Sequence, residues 1–372
     1  MGNGEDGLHL LWSVDGYDWH PVQGGASVLT PTQGDGLGGL MRDPSLTLGP
    51  DGTFHLVWTT AHRGNAVGYA SSRDLISWGE QRALRVMAHE ENVLNCWAPE
   101  LVYHERSGVW LLFWSSTVDG TFEATARTSE EGLNHRIYVS TTADFVSFSE
   151  TRLLHDAGFS ALDATLLRPG AWASIAADAS KGAAEGAGTS NAGLAAEELL
   201  WIVKDDTKYP QRRKHLRMCR AAWTRDERGA PTLLFGGLGP PLSPDGIWAE
   251  GPSAVRFAKH WVVYYDAYEE QRMRAMRSAD LLRWEDVTPL LSLPFEGSAM
   301  RVRHGSILWL PDRRILEGLA RRERATVDGG AEQGAEQGAE QGRRPPAAAT
   351  PDGVEAHSAS SGARRSTDAM PD

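Results

Sequence analysis

The chain is short of cysteine, of long apolar runs and of positive charge, and each shortage removes a class of protein. Its two cysteines, Cys96 and Cys219, stand far apart without CxxC spacing. Neither a disulfide framework nor a zinc knuckle is encoded, and both read as buried thiols. No apolar stretch approaches the roughly 20 residues that span a bilayer. Residues 1–6 lack the basic start and apolar core of an export signal, which leaves the compartment open. A formal net charge of −12 sets the chain against nucleic acid and anionic membrane surfaces, both of which ask for a basic face. The one basic cluster, Arg212, Arg213, Lys214 and Arg217, follows Tyr209-Pro210 and reads as a solvated loop.

What is plentiful points to strands and turns. Fourteen tryptophans supply core volume, while 40 glycines and 19 prolines imply frequent chain reversal, so the fold class is all-β. A phrase recurs: a small hydroxyl residue, Asp two positions on, and an aromatic shortly after. It appears as Ser13-Val14-Asp15 leading to Trp19, Ser72-Arg73-Asp74 to Trp78, Thr142-Ala143-Asp144 to Phe148, and Ser278-Ala279-Asp280 to Trp284. A weaker copy lies where Trp223 precedes Thr224-Arg225-Asp226. Runs rich in aromatic and β-branched residues lie between them, at 54–58, 110–114, 199–203 and 261–265.

This repetition is that of a five-bladed β-propeller, one four-stranded sheet per unit. Inner strands are expected near 44–48, 100–103, 164–167, 252–257 and 304–310. The copy within 8–22 supplies the outer hairpin missing from the last unit, so the termini meet in one blade and close the ring. The propeller is expected to span 1–318, interrupted at 171–196 by a flexible loop of Ala, Gly and Ser. Residues 319–372, with three Ala-Glu-Gln-Gly copies and no aromatic residue, are expected to be a disordered C-terminal tail.

Three acids head predicted inner strands: Asp43 in Arg42-Asp43-Pro44, Asp163 in Leu162-Asp163-Ala164-Thr165, and Glu250 in Ala249-Glu250-Gly251-Pro252. Each alone fits a turn or cap residue. Together, at one depth in three blades, they suit glycosidic hydrolysis, which needs one carboxyl to protonate the leaving oxygen and another to activate water.

On these motifs, with Trp97-Ala98-Pro99-Glu100 and Arg303-His304-Gly305, the chain resembles glycoside hydrolase family 43 over roughly residues 7–311. The resemblance implies an inverting enzyme with Asp43 as general base, Glu250 as general acid and Asp163 tuning and orienting that acid. Glu250 is then expected to be kept protonated by partial desolvation and by Asp163, and Asp43 to stay ionised beside water or donors such as Arg42. Trp97 reads either as a stacking wall for a sugar or as core, and Glu100 as a group that bonds a hydroxyl or an arginine. Lys204-Asp205-Asp206 reads either as pocket-facing or as a solvated strand end. His304 reads either as a buried imidazole or, by resemblance, as a channel residue near a structural calcium ion; no cofactor is required for the chemistry. The expected partner is a carbohydrate carrying terminal arabinofuranosyl, xylosyl or galactosyl groups. The alternatives are a non-catalytic carbohydrate-binding propeller and a propeller for protein partners.

Overall fold

Six consecutive residues of Phe54–Thr59 are buried, as are seven of the eight in Val109–Ser116. A strand loses its in-out alternation in this way when its sheet is covered on both faces, which is what stacked blades do. The computed structural model describes residues 4–167, 198–257, 260–296, 301–310, 315 and 317–319. The insertion expected at 171–196 and, save for residue 319, the tail lie outside the described residues. The described part falls in one unit, Met1–Thr326.

Among the described residues, four antiparallel sheets of four strands follow one another, each paired in sequence order from an inner to an outer strand. The first blade is Arg42–Leu48, Phe54–Thr59, Val67–Ser72 and Arg82–Leu84. The second is Trp97–His104, Val109–Ser116, Arg136–Thr142 and Arg152–His155. Ala161–Leu167, Glu198–Asp205, His215–Arg225 and Pro231–Phe235 make the third. Ala249–Phe257, His260–Ala267, Arg272–Ser278 and Glu285–Asp286 make the fourth. The protein is an all-β propeller. Among the described residues no helix is long and apolar enough to cross a membrane.

The second strand of each blade carries the bulk of the core. Trp58, Trp114, Trp201 and Tyr265 are almost wholly buried there, and withdrawing each such side chain from water contributes on the order of 2 kcal/mol. Gly68 faces Trp58 across the ladder, and a Cβ on it would stand 2.0 Å from the indole. Cys96 and Cys219 are buried free thiols, as expected.

The hydroxyl-x-Asp phrase is a turn with a fixed bonding scheme. In each full copy the hydroxyl oxygen of Ser13, Ser72, Thr142 or Ser278 accepts the backbone N–H three residues on, at 2.8 to 2.9 Å. The Asp Oδ1 accepts two further N–H groups, for example those of Ile76 and Ser77 on Asp74. The residue after the Asp takes a left-handed φ in all four copies: Gly16, Leu75, Phe145 and Leu281. Asp226 instead accepts from Arg228 and Ala230, a different turn, so the weaker fifth copy is not a member of the set.

The expected fifth blade is reduced. Residues 301–310 form no strand ladder, and the N-terminal hairpin is only Leu11–Trp12 paired with His20–Pro21. These pieces nonetheless occupy the closing position. Ile307 N–H donates to Ser253 of the fourth blade and Leu46 N–H of the first blade donates to Ser306. Leu10 and Trp12 pack with Leu308 and Leu310 against Phe54. Residues 10–12 and 306–310 therefore meet between the first and fourth blades, joined by side chains rather than by a full sheet.

Candidate active site

The inner strands break register at one place each, and that break builds the site. Pairing slips between Arg42 and Ser45, between Leu162 and Thr165, between Glu250 and Ser253, and opposite Trp97 in the second blade. Each bulge has an apex with left-handed φ: Asp43 (50°), Ala98 (45°), Asp163 (54°) and Gly251 (56°). Side chains other than Gly, Asn or Asp pay for that conformation, and bulges of this kind re-aim side chains at functional sites. Aligned on the apex, the strands read Arg42-Asp43-Pro44-Ser45, Trp97-Ala98-Pro99-Glu100, Leu162-Asp163-Ala164-Thr165 and Glu250-Gly251-Pro252-Ser253. Arg303-His304-Gly305-Ser306 continues the series in residues. Asp43 and Asp163 are thus equivalent, whereas Glu250 stands one residue earlier, level with Arg42, Trp97 and Leu162. The expectation of three acids at one position is corrected accordingly.

His304 lies among the three carboxylates. Its Nδ1 is 3.0 Å from Asp43 Oδ1, and its ring packs on Gly251, where an added Cβ would come within 2.3 Å. Burial would lower the imidazole pKa, but Asp43, Asp163 and Glu250 together raise it to about 9. It is therefore an imidazolium at neutral pH. Burial would raise Asp43; His304 first, then Arg42 and the Thr59 hydroxyl donating at 2.7 Å, outweigh it and hold the carboxyl below the ordinary range. Arg42, expected as the donor to Asp43, instead meets His62 Nδ1 at 3.4 Å and acts on Asp43 by charge alone. Thr59 also accepts the Ala98 N–H, tying the first blade's second strand to the second blade's bulge.

Asp163 Oδ2 accepts the N–H of Gly251, the residue next to Glu250, at 3.0 Å. Burial, with the charges of Glu250 and Asp43, pushes Asp163 above the usual carboxylate range against His304 and Lys204. Glu250 does not match the expected protonated acid. Lys204 Nζ donates to its Oε2 at 2.9 Å, the Trp248 indole N–H donates to the same oxygen at 3.1 Å, and Arg303 Nη2 is 3.6 Å from Oε1. Burial would raise Glu250, but Lys204, His304 and Arg303 overcome it and lower the carboxyl. The expected influence of Asp163 is outweighed because three cations act against it, Lys204 and Arg303 among them within 4 Å of the carboxylate.

Glu100 points into a cavity of about 10 Å³ bordered by Asp43, Asp163, Pro252 and His304. It bonds a hydroxyl, that of Thr165 at 3.1 Å, and not an arginine. Burial raises it to about 8. That volume holds about one water, whereas calcium takes six to eight oxygen ligands. Among the described residues no group of three His, Cys, Asp or Glu side chains is arranged to hold a metal. The described residues thus show no preformed cage of side-chain ligands for the calcium that the resemblance implies.

Trp97 is half-buried and outside the core clusters, its ring 5.1 Å from His135 and its indole N–H donating to the His62 carbonyl. Lys204, Asp205 and Asp206, which could have been a solvated strand end, are all buried. So is Lys214, against the expectation of a solvated basic loop; it donates to Asp206 at 2.6 Å. Sequence reasoning missed Thr59, Trp248 and Asp266. The sole signal for Trp248 was its place two residues before Glu250, and Thr59 and Asp266 had none beyond lying near the ends of second strands.

Residues 2–314 match the model of a family described as "Probable glycosyl hydrolase domain", related to glycoside hydrolase family 43. No curated protein matches. Among solved structures the chain is similar to an α-L-arabinofuranosidase from Lactobacillus brevis, with 16% identity over 67% of this chain and 72% of that one and a TM-score of 0.44. A thermostable family-43 glycoside hydrolase gives 16% identity, 76% and 84% coverage and a TM-score of 0.47. A xylan β-1,4-xylosidase from Bacillus halodurans C-125 gives 16% identity and a TM-score of 0.44, covering 71% of this chain and 44% of that one.

Proposed function

Since the chain belongs to the family-43-related glycosyl hydrolase domain family, and so is a glycoside hydrolase, we propose that it releases a terminal arabinofuranosyl, xylosyl or galactosyl residue with inversion, using Asp43 as base and Glu250 as acid. The observation that supports this reading is the convergence of Asp43, Asp163 and Glu250 around one imidazolium, His304. Asp43 is ionised throughout the physiological range, as a base must be, and its second oxygen is steadied by Thr59. It takes a proton from water as the water oxygen attacks the anomeric carbon. The bond to the leaving oxygen breaks on the other face, and that oxygen takes the proton of Glu250. Asp163 does no bond chemistry; through the Gly251 N–H it fixes the backbone that carries the acid.

Because Glu250 must be protonated to act and its pKa is lowered, the rate is expected to fall on the alkaline side before neutrality. The test is hydrolysis of nitrophenyl α-L-arabinofuranoside, β-D-xyloside and β-D-galactoside by wild type and Glu250→Ala, with proton NMR of the first-formed anomer. Loss of turnover in the variant and an inverted product are expected. A retained anomer sinks the proposed stereochemistry, and a fully active Glu250→Ala sinks the assignment of the acid.

A further inference from the structure

A line of alternating charges runs away from Glu250 into the protein. Lys204 sits on Glu198–Asp205 with 3% of its surface exposed, paired in register with Leu162 and Leu216. Its ammonium is 2.9 Å from Glu250 Oε2 and 3.0 Å from Asp206 Oδ1. The same Asp206 oxygen lies 2.6 Å from Lys214 Nζ, which is 4.0 Å from Glu130 Oε2, and Glu130 Oε1 meets Lys208 at 2.6 Å nearer the surface. Leaving a buried ammonium with no counter-charge is costly, and removing one member of such a pair is strongly destabilising. Asp206 therefore has a consequence for Glu250: whichever protonation state the acid is in, Lys204 retains a carboxylate partner.

We propose that Lys204 is a positioning residue for Glu250: its ammonium, shared between Glu250 and Asp206, orients the acid and passes to Asp206 alone when Glu250 takes up the proton that it delivers to the leaving oxygen. The inference rests on the reading of Glu250 as the acid. The proton comes from solvent to Glu250 and goes to the leaving oxygen as the glycosidic bond breaks, while Lys204 keeps its three protons throughout. Glu250 faces Lys204, Arg303 and His304 as cations and Asp163 and Asp266 as carboxyls. Lys204 in turn faces Asp206, Glu250 and Asp163, with His135 and Lys214 behind them and the Trp248 ring 5.6 Å away. Lys204 is the nearest of the cations to Glu250, so its charge sets the pH at which the acid loads.

The experiment compares the pH profile of kcat/KM for wild type, Lys204→Met, Lys204→Arg, Asp206→Asn and Glu250→Gln. Lys204→Met is expected to move the alkaline limb up by about one pH unit or more, as removal of one adjacent charge does. Lys204→Arg should restore the limb towards wild type, and Asp206→Asn, which leaves the ammonium to Glu250 alone, should move it down. A folded Lys204→Met whose limb coincides with wild type overturns the proposal, as does an unmoved limb in Asp206→Asn if Lys204→Met fails to fold. Substantial activity in Glu250→Gln would instead remove the acid assignment beneath it. Carbon NMR titration of labelled glutamate carboxyls, with the Glu250 signal identified by its loss in Glu250→Gln, reads the same shift without turnover. An unchanged Glu250 titration in Lys204→Met overturns the proposal there too.

Discussion

At the scale of single residues the site depends on two small groups as much as on its charges. Gly251 carries a φ of +56° directly under the His304 ring, with room for no Cβ. Gly251→Ala must strain its own backbone and displace His304 from Asp43. A misplacement of this kind is expected to lower kcat at least about 10-fold, alongside a stability loss of about 1–3 kcal/mol; steady-state kinetics with thermal melting check both. Wild-type kcat in the alanine variant would mean that the His304–Asp43 contact is dispensable. Thr59 both donates to Asp43 and accepts from the Ala98 N–H. Thr59→Val keeps the shape and removes both bonds, leaving a buried N–H unpaired at a cost of about 1–3 kcal/mol. Urea unfolding should show that loss, whereas Thr59→Ser should retain most of the stability.

At the scale of elements, the blade is the unit that repeats, and its tightest point is the packing of Gly68 on Trp58. Overpacking by a methyl is expected to cost the first blade about 1–3 kcal/mol in Gly68→Ala, read by denaturant unfolding; an unchanged midpoint would mean that the strand Val67–Ser72 shifts freely. The four full turns were legible in the sequence because their hydrogen bonds link residues two and three apart, so the hydroxyl, the Asp and the left-handed position must recur together. The strands between them were legible for the same reason, since aromatic and β-branched runs report local burial. The fifth blade was not, because closure uses contacts between segments some 260 positions apart, such as Ser306 with Leu46, and no local pattern records whether a ladder forms there. The Asp226 turn misled because Thr224 and Asp226 keep the hydroxyl-x-Asp spacing while Asp supports several turn geometries, and only the aromatic, Trp223 before the phrase instead of after it, set it apart.

At the scale of the whole molecule, the carboxylates could be found from their place at the strand heads, but their states could not. These are set by Lys204, Asp266 and Thr59 on second strands and by His304 on the closing segment, which meet only once the ring is assembled. The result is a centre whose protonation is tied to folding. His304 is raised from 6.5 to about 9 and Glu100 from 4.5 to about 8, and Asp163 is raised as well. A group with a raised folded pKa contributes stability that is full below its unfolded value and is lost as pH climbs through the folded one. Asp43 and Glu250 are lowered, so their contribution is present above the ordinary carboxylate value and disappears as pH falls. Opposed slopes place the stability maximum on the acid side of neutrality, with Tm declining from about pH 5 to pH 9. Glu100→Gln keeps the shape of the neutral acid and cannot ionise, so it is expected to make the decline between about pH 5 and pH 8 shallower and leave the His304 contribution, which runs from about pH 6.5 to pH 9. Melting curves across that range check the sign: a wild-type Tm that rises towards pH 8, or a Glu100→Gln curve parallel to wild type, would mean that Glu100 is already ionised in the folded propeller.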